Sequence, residues 1–209
     1  MILLIPHCIG LTCSKRRHQL KKNFVEAGHM RDLSLQKLLA ALETPVKHKI
    51  FVSYYHWLDQ GYYEAFSKHF HDKLDAINDR SLDEEIDSDD VEYVMRTIRE
   101  KHLTGTSCTL VLIGAETHKR KYVDWEISAT LDKEHGLIGV YLPTATRSAD
   151  GKIIVPDRFY DNFISGYASI VSWEAITASA EALDTYLKAA KEKSSSLIDN
   201  SRKKKQRNG

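Results

Sequence analysis

The stretch TSCTLVLIGAETHKRKYVDWE, Thr106 to Glu126, decides how the chain is read. Cys108 to Ile113 is a continuous run of small, β-branched and apolar residues, closed by Gly114. A short run of that kind predicts a strand buried on both faces. A polar loop with Lys119, Arg120 and Lys121 follows. Val123, Ile127 and Leu131 then recur four apart, which predicts a helix over Tyr122–Leu131 with Glu126 in its opening turns. That geometry puts Glu126 above the carboxyl end of the strand, the edge where open α/β sheets bind ligands.

Working outward, other segments repeat the strand-then-helix rhythm. HKIFVSYY (48–55) is rich in β-branched and aromatic residues and predicts a strand. After a polar turn and Gly61, Tyr63, Phe66, Phe70, Leu74 and Ile77 fall at helical spacing. No second strand is evident between Leu74 and Asp87. Val91, Val94, Met95 and Ile98 form another helical stripe, with Asp87 or Ser88 as its expected cap and Asp89 and Asp90 in its first turn. Gly136–Leu142 predicts a strand ended by Pro143, and Ser169–Trp173 a weaker one. Residues 144–168 read as an irregular connection with a turn at Asp150-Gly151. From Ile176, apolar positions at 180, 183, 187 and 190 predict a closing helix. Strands alternating with helices predict an α/β domain, a doubly wound parallel sheet joined by right-handed crossovers.

The expected organisation is an N-terminal extension over 1–47, the α/β domain over 48–193 and a disordered basic tail over 194–209. In the extension, Ser34 caps a short helix with a stripe at Leu35, Leu38, Leu39 and Leu42, and Met30 is an alternative start. The tail runs from Ser-Ser-Ser to RKKKQRNG, a composition with little apolar surface to bury.

Composition narrows the function. With 209 residues and a net charge of +1, the chain is no general magnet for nucleic acid or anionic membrane. Its apolar fraction of 42% and charged fraction of 28% are ordinary for a soluble globular protein. Three cysteines make no disulfide framework, which fits a reducing cytoplasmic setting. The N-terminal apolar run is five residues long and its basic residues follow it, the reverse of a secretory signal. No run approaches the length of a membrane span.

Several chemistries drop out. There is no dinucleotide-binding glycine fingerprint, P-loop, Gly-x-Ser-x-Gly elbow or Cys-x-x-Cys pair. The acidic run NDRSLDEEIDSDD (78–90) lacks the spacing and the glycine of an EF-hand, so a solvated loop is the better reading than a calcium site. His69 and His71, two apart, make a poor metal pair on a helix. No metal site is expected. The loop cations Lys119 to Lys121 read either as a solvated loop or as phosphate contacts near a helix N-terminus.

IFVSYY (50–55), TLVLIGAETHKRKYVDWEI (109–127) and LIGVYLP (137–143) together resemble TIR domains. They are similar to the stand-alone TIR-like proteins of Thoeris-type anti-phage systems, over about residues 48 to 190. The resemblance implies a flavodoxin-like, three-layer fold with helices on both faces of a parallel sheet. It also implies NAD cleavage, as NAD nucleosidase or ADP-ribosyl cyclase, with NAD as substrate and no cofactor. The family's catalytic glutamate matches Glu126. Its nucleotide pocket carries over to Ser53, Tyr54, Tyr55 and His56, with Trp125 beside the glutamate. Many family members place a basic residue just after the first strand, where this chain has Tyr55 and His56. The loop matching Asp79 to Ser88 serves self-association, and a released nucleotide would act on a separate effector protein. Two other readings remain beside the enzyme: a non-catalytic interaction module and a nucleotide sensor without turnover. By position alone, Glu126 is also a first-turn acid favoured by the helix dipole.

Overall fold

The computed structural model describes residues 48–72, 74–78 and 90–209. The short helix expected after Ser34, the extension around it and the loop Asp79 to Ser88, expected to serve self-association, lie outside the described residues.

Five parallel strands form one sheet in the order β2-β1-β3-β4-β5. They are β1 (His48–Ser53), β2 (Leu74–Asn78), β3 (Cys108–Ile113), β4 (Gly136–Tyr141) and β5 (Ser169–Ser172). The order reverses direction between β1 and β3, so a crevice opens at their carboxyl ends. This is the flavodoxin-like arrangement expected of the sequence. Strand β3 sits at the centre and is buried at every position, as a run without polar alternation requires.

The helices are α1 (His56–His69), α2 (Val91–Thr97), α3 (Lys121–Asp132), α4 (Asp157–Ile164), α5 (Trp173–Ile176) and α6 (Ala180–Lys191). On one face, Ile50, Val52, Leu110, Leu112, Ile138 and Val140 meet Tyr63 and Phe66 of α1 and Leu183 and Leu187 of α6. On the other, Phe51 packs with Val94 and Met95 of α2 and Trp125 of α3. Val111 and Ile113 pack there with Ile127 of α3 and Phe159 of α4. Alternate residues of each strand therefore feed opposite layers. Gly139 of β4 allows the close approach of α4, since a Cβ there would stand 2.5 Å from Phe159 Cζ.

Four expectations are corrected. Helix α1 begins at His56 rather than after Gly61, and it ends at His69 with Phe70 as its C-cap; Leu74 and Ile77 belong to β2, which pairs with β1. The two elements share a helical spacing by coincidence, so the strand was hidden. Asp90, not Asp87 or Ser88, caps α2, accepting from the backbone N–H groups of Glu92 and Tyr93. The connection 144–168 contains α4, whose buried side chains include the polar pair Arg158 and Asn162. The tail, expected to be disordered, lies against α3 and α4.

The tail is held mainly by polar contacts, with Ile198 packed against the core cluster of Ile127 and Phe159. Arg158 donates to Asn200 Oδ1 at 2.7 Å and to the Lys203 carbonyl at 3.2 Å. Asn162 donates to the Asp199 carbonyl and accepts from the Asp199 N–H. Asn208 Oδ1 accepts from the N–H of Lys121, capping α3 where Arg120 supplies no side-chain cap. Gly209 N–H reaches the Lys119 carbonyl at 3.0 Å. No described helix is long and apolar enough to cross a membrane.

Candidate active site

Strand β1 ends at Ser53, on the face that α3 covers, and α3 presents Glu126 to it. Ser53 Oγ donates to Glu126 Oε2 at 2.6 Å, and both side chains are buried, 1% and 3% exposed. A short charge-assisted bond of this kind fixes the carboxylate and one of its oxygens. Two residues far apart in sequence thus meet at the carboxyl edge of the sheet, beside the β1/β3 crevice.

The other expected site residues divide between faces. Tyr55 lies beneath Arg120, whose guanidinium carbon is 3.8 Å from the ring centroid, within cation–π range. Arg120, the N-cap residue of α3, thus brings a cation to the chain just after the first strand. Arg120 is itself ion-paired to Glu116. His56 opens α1 and is half-buried. Tyr54 turns to the opposite face of the sheet, where its ring stacks on Tyr63 at 4.7 Å and its hydroxyl donates to Gln60. Trp125 packs with Phe51, Met95 and Leu103, and its indole N–H donates to the Lys205 carbonyl at 2.8 Å. The structure therefore brings Ser53 and Glu126 together, seats Tyr55 against Arg120, and sends Tyr54 and Trp125 into separate core clusters.

Sequence reasoning missed Asp59. It is 1% exposed on α1, and its carboxylate fits under Gly114 at the end of β3, where a Cβ would stand 2.1 Å from Oδ1. Thr117 Oγ1 lies 3.1 Å from Asp59 Oδ2 and 3.2 Å from the Leu112 carbonyl, and it accepts from the Gly114 N–H. Burial pushes the Asp59 carboxyl up to about 6, against the opposing pull of the Thr117 hydrogen bond and the Tyr55 backbone contact. A protonated Asp59 can donate to Thr117, leaving the threonine hydroxyl for Leu112, so the neutral acid completes the chain of donors. The signal was present in the sequence only as a lone aspartate near the end of a strand.

Asp124 faces away from Glu126, toward α4. Its carboxylate takes Arg158 Nε at 2.9 Å and Nη2 at 3.2 Å, and also the N–H of Lys205 at 2.8 Å. Cys108 is buried in β3, and burial raises its thiol to about 12, so it is inert. Among the described residues no group of His, Cys, Asp and Glu could hold a metal ion.

This geometry offers a fixed, buried carboxylate held by a strand-end hydroxyl. A buried carboxylate held in this way can stabilise a developing cation. No curated protein matches the chain. Residues 51–147, from β1 to the turn beyond β4, match the family model for the TIR-like domain of the Thoeris protein ThsB.

Proposed function

We propose that the protein is a cytoplasmic NAD glycohydrolase or cyclase of anti-phage defence, with Glu126 as the catalytic residue. The Ser53–Glu126 hydrogen bond carries the reading, because it holds one carboxylate at the ligand-binding edge of the sheet. In NAD the nicotinamide is a cationic leaving group. Cleavage of its bond to the ribose returns the electron pair to nitrogen, so nicotinamide departs neutral without a general acid. The ribosyl centre becomes oxocarbenium-like, and a fixed negative charge in a dry site stabilises it. Water then completes hydrolysis, or a nitrogen of the adenine completes cyclisation. Ordinary glycoside hydrolysis needs two carboxylates; this leaving group removes the need for one.

The released nucleotide would act on a separate effector, and self-association would prepare the site. The 3% exposure of Glu126 favours a second reading, a TIR-like interaction module in which the glutamate is only a packed helix acid. Nicotinamide release by the purified chain, compared with Glu126→Gln over a range of protein concentrations, separates the two. Turnover lost in the variant at unchanged fold supports the enzyme. A parent without turnover at any concentration, in the presence of infected-cell extract, supports the module.

A further inference from the structure

On the side of α3 that carries Asp124, the C-terminal segment closes over a cavity of about 330 Å³. His118 and Arg120 line it from the loop before α3, and Arg202, Lys203 and Lys205 from the tail. Asp124 and Asp157 are its two carboxylates. Lys203, Lys205 and Arg202 lie beyond the segment that matches the Thoeris family, so the tail builds this cavity onto the domain.

The charges do not cancel. Asp124 is committed to Arg158, Arg120 to Glu116, and Arg202 to both Asp161 and Asp157. Lys205 Nζ donates only to a neutral acceptor, the His118 carbonyl at 2.8 Å. Among the described residues neither lysine forms an ion pair. Two residues of the lining also carry a buried polar atom with no partner among the described residues, Nδ1 of His118 and Nε of Arg120. Buried donors without acceptors are uncommon and unfavourable. Burial, and then the neighbouring Lys119 and Lys205, hold the His118 imidazole below its ordinary value, so it is neutral at pH 7. The uncancelled lysine charge suits one kind of guest: an oxyanion with several acceptors. The volume sits at the lower end of small-molecule sites, about 300–1,000 Å³, which suits a phosphate-bearing fragment rather than a whole dinucleotide.

We propose that this cavity binds a phosphate or diphosphate group, and that its occupancy fastens the C-terminal segment to α3 and α4. The group comes either from inorganic anions or from a nucleotide. The site is separate from Glu126, which faces β1, and the proposal does not rest on NAD cleavage. Binding brings negative charge beside His118 and raises its proton affinity, so the complex takes up a proton near neutral pH.

The test is calorimetric titration of the full chain with inorganic pyrophosphate and, separately, with ADP. The parent is compared with Lys203→Glu, with Lys68→Glu on α1 as a charge control, and with His118→Gln. Lys203 contributes its carbonyl to the tail contact, and the substitution leaves that carbonyl in place. Saturable one-site binding is expected, weakened at least about tenfold by Lys203→Glu and unchanged by Lys68→Glu. The heat should depend on buffer ionisation in the parent and not in His118→Gln. Hydrogen exchange at the Lys205 and Gly209 amides should slow on binding. Equal affinity for the two ligands assigns the site to the diphosphate itself, and tighter ADP binding assigns it to a nucleotide. No saturable binding of either ligand overturns the proposal. So does equal binding by parent and Lys203→Glu, or an equal loss in Lys203→Glu and Lys68→Glu.

Discussion

The indole N–H of Trp125 donates to the backbone carbonyl of Lys205, 80 positions later, at 2.8 Å. One residue of α3, next to the candidate catalytic glutamate, thus depends on the far end of the chain. The same stretch of tail satisfies the buried Arg158–Asp124 pair from outside.

Removing residues 195–209 should therefore destabilise the domain. It strips partners from Arg158, Asn162, Asp124 and Trp125 and leaves buried polar groups to be solvated or unsatisfied. A loss of about 2–4 kcal/mol is expected, and at about 2–4 °C per kcal/mol for a domain of this size the melting temperature should fall by roughly 4–16 °C. Thermal unfolding of the two chains measures it. An unchanged melting temperature would show that the tail contacts are energetically idle.

Packing at Gly139 is tested by a double-mutant cycle. Alanine there would place its methyl 2.5 Å from Phe159 Cζ and 2.8 Å from Ile113 Cδ1, both buried side chains. Overpacking of this kind destabilises by about 1–3 kcal/mol. Phe159→Leu frees space, so the double variant should be more stable than the sum of the two single losses predicts. Urea unfolding of all four proteins gives the coupling; strict additivity would place the strain elsewhere.

The central unit was legible because its signals are local. Cys108–Ile113 is apolar without a break, Gly114 ends it, and the spacing of Val123, Ile127 and Leu131 marks the face of α3 that reaches the sheet. Tail, α4 and β2 were hidden for separate physical reasons. The tail is anchored through backbone carbonyls and amide side chains, which an argument from apolar burial does not register. Helix α4 spans eight residues and buries Arg158 and Asn162, so its stripe looks polar. Leu74 and Ile77 continue the helical period of Phe70 although the chain has already turned into β2. In the site, the meeting of Glu126 with Ser53 follows from helix register, which was readable, and from the pairing of β1 with β3, which was not. The burial of Asp59 is set by Gly114 on a distant strand, and the cation over Tyr55 comes from the loop before α3.

Asp59 makes a pH prediction whose sign is fixed by its environment. Its carboxyl is raised from 3.8 to about 6 in the fold, so the folded state keeps a proton that the unfolded chain releases. Stability from this group is full below about pH 4 and falls as the pH rises through the interval to about 6. Asp59→Asn cannot ionise and can donate to Thr117 as the neutral acid does. The variant should match the parent near pH 4 and exceed its stability at pH 8. Denaturant midpoints across that range check it. A variant less stable than the parent at pH 8 would show that the ionised carboxylate is the form the fold prefers.

The Ser53–Glu126 bond yields the sharpest test of how the site works. Ser53→Ala removes the donor that fixes Glu126 Oε2 and leaves the carboxylate charge in place. Ser53 acts on the reaction through the glutamate, so it is a positioning residue. If the charge must be held still to stabilise the oxocarbenium ion, kcat for nicotinamide release should fall about tenfold, the worth of one charge-assisted hydrogen bond at roughly 1.5 kcal/mol. KM should change little, because the contact matters more in the transition state than in the bound substrate. Ser53→Thr retains the hydroxyl and should recover most of the rate. Glu126→Gln, which loses the charge, should fall further, by on the order of a hundredfold to a thousandfold. The double variant Ser53→Ala/Glu126→Gln should then be no slower than Glu126→Gln alone, since the serine has nothing left to position. If the two losses instead multiply, Ser53 contacts the substrate independently, and the pair does not act as a unit.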